Sequence, residues 1–143
     1  MRGRVIAAAI TALLVPAAGA QAAPFAATLK ARTHSPKAGK LWPITVTARS
    51  SSGKALRATA TYQFVFNGSV VATRYPSPKA PANSKCSKEG TCRKEPYPFT
   101  GRLHDPTFQW PARAVGIDLT FRVVVAVKGK GHVNLDYKVR VHR

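Results

Sequence analysis

The chain has 143 residues and a formal net charge of +18 at neutral pH, with 23 lysines and arginines against 5 acidic residues. This length suits one ordinary domain behind a short targeting segment and excludes a second domain. So large a positive charge favours anionic partners and is not required by any fold.

Residues 1–22 are predicted to be a cleaved secretory signal peptide. Two early arginines precede an apolar run over residues 5–15, and Ala20-Gln21-Ala22 supplies the small-residue pattern at which such peptides are cut. The run is too short to cross a bilayer of about 30 Å as a stable helix, so a retained N-terminal anchor is the weaker alternative.

Cleavage before Ala23 leaves a domain over residues 23–143 without a membrane span, and cleavage after Ala18-Gly19-Ala20 is the alternative. The predicted location is outside the cell, in the periplasm or at the cell envelope.

Three runs of alternating apolar residues predict half-buried strands in the first half of the domain. They cover Phe25 to Ala31, Trp42 to Ala48 and Leu56 to Phe66. Asn67-Gly68 then predicts a two-residue type I′ hairpin, because both residues tolerate positive φ. This turn places Phe64 opposite Val71 and Phe66 opposite Ser69.

Residues 75–98 are predicted to be one long loop, since they hold five of the eleven prolines and show no periodicity. Both cysteines of the chain, Cys86 and Cys92, lie in it. Exported thiols usually become oxidised, so the sequence predicts a Cys86–Cys92 disulfide. A zinc site normally needs four ligands and a redox pair needs C-x-x-C, so both are weaker alternatives. Short strands are predicted after the loop, over residues 99–103 and 107–110.

The last hairpin joins two long alternating runs, over residues 117–127 and 133–141. Their inward residues are all odd-numbered, which predicts a three-residue turn at Gly129-Lys130-Gly131. In this register Arg122 lies opposite Lys138, a like-charge pair, and Asp118 lies opposite His142.

These elements predict an all-β fold, a single antiparallel β-sandwich of about seven strands with one long cystine-containing loop. Residues 35–71 (SPKAGKLWPITVTARSSSGKALRATATYQFVFNGSVV) resemble the first half of bacterial secreted immunoglobulin-like domains. Residues 110–125 (WPARAVGIDLTFRVVV) and 135–141 (LDYKVRV) resemble their final two strands. The resemblance implies an immunoglobulin-like sandwich and no particular activity.

The sequence offers no motif for catalysis and predicts a non-enzymatic protein without cofactor or metal. It has no G-x-S-x-G nucleophile and no glycine-rich phosphate loop. His104 and Asp105 are neighbours on a predicted turn and make a poor acid–base couple. The histidines are dispersed, so an enzyme or a metal carrier is the least favoured interpretation.

The positive charge therefore carries the functional prediction. The leading hypothesis is a structural module or a weak binder of anionic cell-wall polymers, acidic polysaccharide or lipid head groups, with nucleic acid unsupported because no exposed aromatic platform is visible. A protein-binding cystine loop, as in small inhibitors, is the alternative, and solubility alone could also explain the charge. The candidate polyanion-binding residues are Lys85, Lys88, Arg93, Lys94, Arg122 and Lys138. Other exposed cations are predicted at Lys30, Arg32, Arg57, Arg74, Lys79, Arg102 and Arg140.

Overall fold

The computed structural model describes residues 23–80 and 93–143 and contains eight strands and one 3-10 helix there. The predicted signal peptide and residues 81–92, with both cysteines, lie outside the described residues. The elements are β1 Ala26–Ala31, β2 Ile44–Arg49, β3 Arg57–Phe66, β4 Ser69–Arg74, β5 Tyr97–Thr100, β6 Arg102–Asp105, the 3-10 helix Ala112–Ala114, β7 Asp118–Val127 and β8 Gly131–Arg140.

The strands form two antiparallel sheets, which confirms the all-β prediction. The smaller sheet has the order β1-β2-β6, and the larger has the order β4-β3-β7-β8. β5 also pairs with β3, along its first four residues, while β4 pairs with the second half. Because β7 occupies one edge of β3, β4 and β5 follow one another along the other edge.

Both sheets bury their inward faces in one shared hydrophobic core, so the arrangement is sandwich-like. The predicted alternation is confirmed in β2, where Ile44, Val46 and Ala48 are fully buried, and in β7, where Phe121, Val123 and Val125 are. Trp42 lies at the centre, with the rings of four aromatic residues at centroid distances of 5.3 to 5.8 Å.

Gly101 is the point at which the chain crosses from one sheet to the other. Residues 97–100 pair with β3 of the larger sheet, and residues 102–105 pair with β2 of the smaller. Gly101 has φ +72° and is bonded to both sides, donating to the carbonyl of Leu56 and accepting from the N–H of Ala48. The single strand predicted over residues 99–103 is therefore wrong, because the left-handed glycine divides it.

The end of the long loop and the elements that follow it also differ from the prediction. Pairing with β3 begins at Tyr97, so the loop ends at Pro96. His104 and Asp105 belong to β6 and are not a turn. The strand predicted over residues 107–110 is absent, since within this described segment only Gln109 makes an isolated bridge, to Leu41.

The first hairpin confirms the predicted turn and corrects part of the register. Asn67 and Gly68 have φ of +48° and +79°, as a type I′ turn requires, and Phe66 lies opposite Ser69. A bulge between Phe64 and Val65 then places Phe64 opposite Ala72. The extra residue, Val71, is 58% exposed, so the prediction of Val71 opposite Phe64 is wrong.

The last hairpin keeps the predicted parity but shifts by one residue at its turn. The turn consists of Lys128, Gly129 and Lys130, with Val127 opposite Gly131. Gly129 has φ +78° at the centre, and the Lys130 N–H donates to the Val127 carbonyl. Every predicted cross-strand pair is consequently displaced by two residues.

This shift replaces the predicted like-charge pair with ion pairs. Arg122 lies opposite Asp136 and not opposite Lys138, which faces Thr120. Asp118 lies opposite Arg140 and not opposite His142. Opposite charges across a strand pair are favourable and like charges are not, so the charge pairs favour the same register as the turn geometry does.

Candidate anion-binding surface

The outward side of the smaller sheet is a regular face of cations and hydroxyls. The pairing of β1, β2 and β6 arranges its outward residues in three cross-strand rows: Lys30 with Thr45 and His104, Thr28 with Thr47 and Arg102, and Ala26 with Arg49. We call these eight residues the threonine–cation face. The alternation that buries Ile44, Val46 and Ala48 directs the three threonines and the basic side chains to solvent.

The basic side chains of this face are exposed, and the face contains no carboxylate. Lys30, Arg49 and Arg102 are all exposed, and no outward-facing residue of these three described strands is acidic. From strand rise and spacing, the Cα atoms of Arg49 and Arg102 are about 8 Å apart, and those of Arg102 and Lys30 about 12 Å. Such separations match the spacing of charges along an extended polymer better than the size of one small anion.

Hydroxyl and imidazole groups fill the space between these charges. Thr45 Oγ1 lies 3.0 Å from His104 Nδ1, and the hydroxyls of Thr28 and Thr47 contact each other across the β1–β2 pair. Threonine hydroxyls can both donate and accept hydrogen bonds, so the face offers neutral contacts beside its charges.

The outward side of the larger sheet differs because its carboxylates are paired with arginines. Asp136 accepts from Arg122 Nε and Nη2 at 2.7 and 3.0 Å, and Asp118 accepts from Arg140 at 2.8 Å. The hydrogen bonds from Arg122 lower the pKa of Asp136, and the same contact raises the pKa of Arg122. Two of the basic residues of this sheet are thus committed to intramolecular pairs.

The predicted polyanion-binding residues do not form one described site. Lys85 and Lys88 lie outside the described residues, as do Cys86 and Cys92, so the cystine loop stays a prediction. Arg93 and Lys94 precede β5. The Arg93 guanidinium lies 5.0 Å from the centre of the Tyr97 ring and donates to the Pro96 carbonyl at 3.3 Å.

The two candidate residues of the last hairpin, Arg122 and Lys138, make different contacts. Arg122 is bound to Asp136, whereas Lys138 lies on the same outer side without an ion-pair partner among the described residues. Lys30 and Arg102 are exposed, as the sequence predicts, but their positions in the sequence do not indicate that they share one face. The pairing of β6 with β2 brings these two residues onto one face, and no local pattern of the sequence predicts a pairing between such distant segments.

A buried polar network joins the two sheets. Asp105 is 2% exposed, and its carboxylate accepts from the Tyr62 hydroxyl at 2.8 Å and from the backbone N–H and hydroxyl of Thr107 at 2.9 and 2.7 Å. Burial and the nearby Asp105 carboxylate raise the pKa of Tyr62 well above its usual value. The sequence signal was Asp105-Pro106-Thr107, since aspartate often accepts from the N–H two residues later.

This network connects β3 to β6, and its residues alone do not form a catalytic site. His104 points to the opposite side of β6 from Asp105, as expected for neighbours on a strand. Within residues 23–80 and 93–143, no three histidine, cysteine or acidic side chains are close enough together to hold a metal ion. The same residues contain no helix that is long and apolar enough to span a membrane.

Comparisons of the chain with protein-family models, with curated proteins and with solved structures find no match. The function is therefore inferred from the geometry and charge of this molecule.

Proposed function

We propose that the protein is an exported, non-catalytic, immunoglobulin-like module that binds anionic envelope or extracellular polymers through the threonine–cation face. The observation that carries this proposal is the exposed set of Lys30, Arg49 and Arg102 on a sheet face that contains no carboxylate. Acidic polysaccharides and phosphate-containing wall polymers present the repeated negative charges that such a face would attract.

The strand order supports the immunoglobulin-like part of the proposal. In that fold the first, second and fifth of seven strands belong to one sheet and the third, sixth and seventh to the other. Here β1, β2 and β6 form one sheet and β3, β7 and β8 pair in the other, with β4 at the position of the extra strand of variable-type domains. β5 departs from the pattern, because it pairs with β3.

The expected binding is weak to moderate and depends on salt. Each basic side chain that contacts a polymer charge releases counterions, so affinity falls as salt rises. At physiological ionic strength the screening length is about 8 Å, similar to the spacing of the charges on this face, so contact and not long-range attraction must supply the affinity.

The experiment compares two triple variants that remove equal charge. One replaces Lys30, Arg49 and Arg102 with Gln, and the matched control replaces Lys128, Lys130 and Arg143, which are exposed at the last turn and the C-terminus. Binding to a poly(glycerol phosphate), a polyuronate and duplex DNA is measured by salt titration. The face variant should reduce the salt slope by about 2, at roughly 0.7 to 0.9 per lost contact, and the control should change it little.

A third variant tests the rival site in the loop. It replaces Lys85, Lys88, Arg93 and Lys94 with Ser, and its smaller control replaces Arg122 and Lys138 with Ser. If affinity falls equally per charge in every variant, the attraction is diffuse and the face is not a site. If the loop variant alone loses binding, the site is the loop. If the wild-type protein binds none of the polymers at about 0.15 M salt, the charge serves solubility only.

A further inference from the structure

A cavity of about 970 Å³ lies between the inner side of β3 and β4 and the segment that connects β6 to β7. Phe64, Phe108 and Trp110, whose rings pack against one another, form its aromatic wall, and Ala72 and the 3-10 helix also line it. Its volume lies at the upper end of the roughly 300 to 1,000 Å³ typical of small-molecule pockets. It is separate from the threonine–cation face, which lies on the outer side of the smaller sheet.

The unequal size of the two sheets explains why the cavity exists. The Tyr62–Asp105 hydrogen bond holds β6, the edge strand of the smaller sheet, against β3. β4 lies beyond β3 in the larger sheet, so no strand of the smaller sheet covers its inner side. Residues 106–117, which form no strand, line the rest of the cavity and do not fill it completely.

Two buried polar atoms of the lining residues have no hydrogen-bond partner within the described part of the protein. They are the indole Nε1 of Trp110, a residue only 1% exposed, and the hydroxyl of Ser77. Buried donors are almost always paired in folded proteins, and an indole N–H can only donate. The described residues supply no acceptor for the Trp110 indole, so this part of the lining is not packed as protein interiors usually are.

The charged lining residues favour an anion. Arg74 and Arg113 both line the cavity, and neither has an ion-pair partner among the described residues. Among the described residues that line the cavity, the one carboxylate is that of Asp105, whose two oxygens already accept from Tyr62 and Thr107. Exposed apolar side chains, Val71 at 58% and Ile117 at 37%, stand beside these arginines.

We propose that this cavity binds a small amphipathic carboxylate, with its apolar body against the aromatic wall and its carboxylate at Arg74 and Arg113. The proposal is independent of polymer binding, because none of its residues belongs to the threonine–cation face.

The test uses dansyl-undecanoate as a fluorescent probe, with dodecanoate and dodecanol as competitors. The expected result is saturable binding of one probe per protein, displaced by dodecanoate at least tenfold better than by dodecanol. The tenfold preference is the contribution expected of one charge-assisted hydrogen bond. Several equivalent probe molecules per protein, or equal displacement by acid and alcohol, would overturn the proposal.

Two kinds of variant locate the bound probe. Ala72→Trp and Ala112→Trp each add an indole at a lining position on a different element, and both should abolish binding while thermal unfolding shows a folded protein. Arg113→Gln should weaken binding about tenfold, whereas Arg57→Gln, an exposed arginine outside the cavity, should not. Full binding by a folded Ala112→Trp protein, or equal losses in both arginine variants, would show attachment elsewhere.

Discussion

Replacement of Gly101 by alanine should be strongly destabilising, because this buried residue connects the two sheets. Its φ of +72° is a conformation that L-residues rarely adopt. An added Cβ would also lie 2.7 Å from the Cβ of Ala55, closer than two carbon atoms can approach. The surrounding backbone is held on both sides by the hydrogen bonds to Leu56 and Ala48.

The magnitude follows from adding two separate costs. A left-handed backbone costs an L-residue about 1 to 2 kcal/mol. Forcing an additional methyl group into an occupied position costs about 1 to 3 kcal/mol. Gly101→Ala should therefore lower the free energy of unfolding by about 2 to 5 kcal/mol. Gly116 is the matched control, with φ +79° and no atom within 4 Å of an added Cβ, so Gly116→Ala should cost only the backbone portion.

Urea unfolding of both variants and of Ala55→Gly with and without Gly101→Ala separates the two costs. The double variant should recover about 1 kcal/mol or more relative to the sum of the single variants, since removal of the Ala55 methyl relieves the contact. If Gly101→Ala is no more destabilising than Gly116→Ala, or if the Ala55→Gly background changes nothing, the steric argument is wrong.

Three further predictions concern the polar groups and the cysteines. Tyr62→Phe should lower the free energy of unfolding by about 1.5 to 3 kcal/mol at neutral pH, because it removes the hydrogen bond to Asp105. Since the pKa of Tyr62 is raised in the folded protein, the wild type should lose stability as the pH rises above about 10, the unfolded-state pKa. Alkaline urea titrations should show this loss in the wild type and not in Tyr62→Phe. The Arg122–Asp136 pair is partly exposed, so a double-mutant cycle should give only about 0.2 to 1 kcal/mol, present above about pH 4 and lost as the pH falls through the lowered pKa of Asp136. Unreduced protein from an oxidising compartment should show no alkylated Cys86 or Cys92 by mass spectrometry, and replacing both with Ser should leave the strand signature in circular dichroism intact; two free thiols or an unfolded variant would contradict these statements.

The local pattern of the sequence predicts the strands and their inward faces well. Residues such as Ile44, Val46, Phe121 and Val123 alternate with polar residues, and the period of two leaves one choice of buried side. The Asn67-Gly68 turn is equally local, because only residues that tolerate positive φ fit a type I′ hairpin. What the sequence does not predict is the bulge that follows this turn on β4, since nothing in the sequence indicates that Val71 is the extra residue.

The pairings between distant segments could not be obtained in this way. The division of residues 97–105 between two sheets depends on Gly101 lying beside Ala55, which is far away in the sequence. The same is true of β6 beside β2, which creates the threonine–cation face. The network of Asp105 was missed because a single carboxylate has no periodic signature, although the following Pro106-Thr107 is typical of a locally bonded aspartate.

The register of the last hairpin determines where the unpaired charge of the described chain lies. With the turn centred on Gly129, both carboxylates of β7 and β8 face arginines, Asp118 facing Arg140 and Asp136 facing Arg122. With a turn centred one residue later, Arg122 would face a lysine and both acids would lose these partners. The larger sheet thereby pairs two of its own arginines with carboxylates, whereas the outer side of the smaller sheet carries basic side chains and no carboxylate. A module that recognises anionic polymers by contact needs such asymmetry, since evenly distributed charge attracts a polymer without giving it a preferred place to bind.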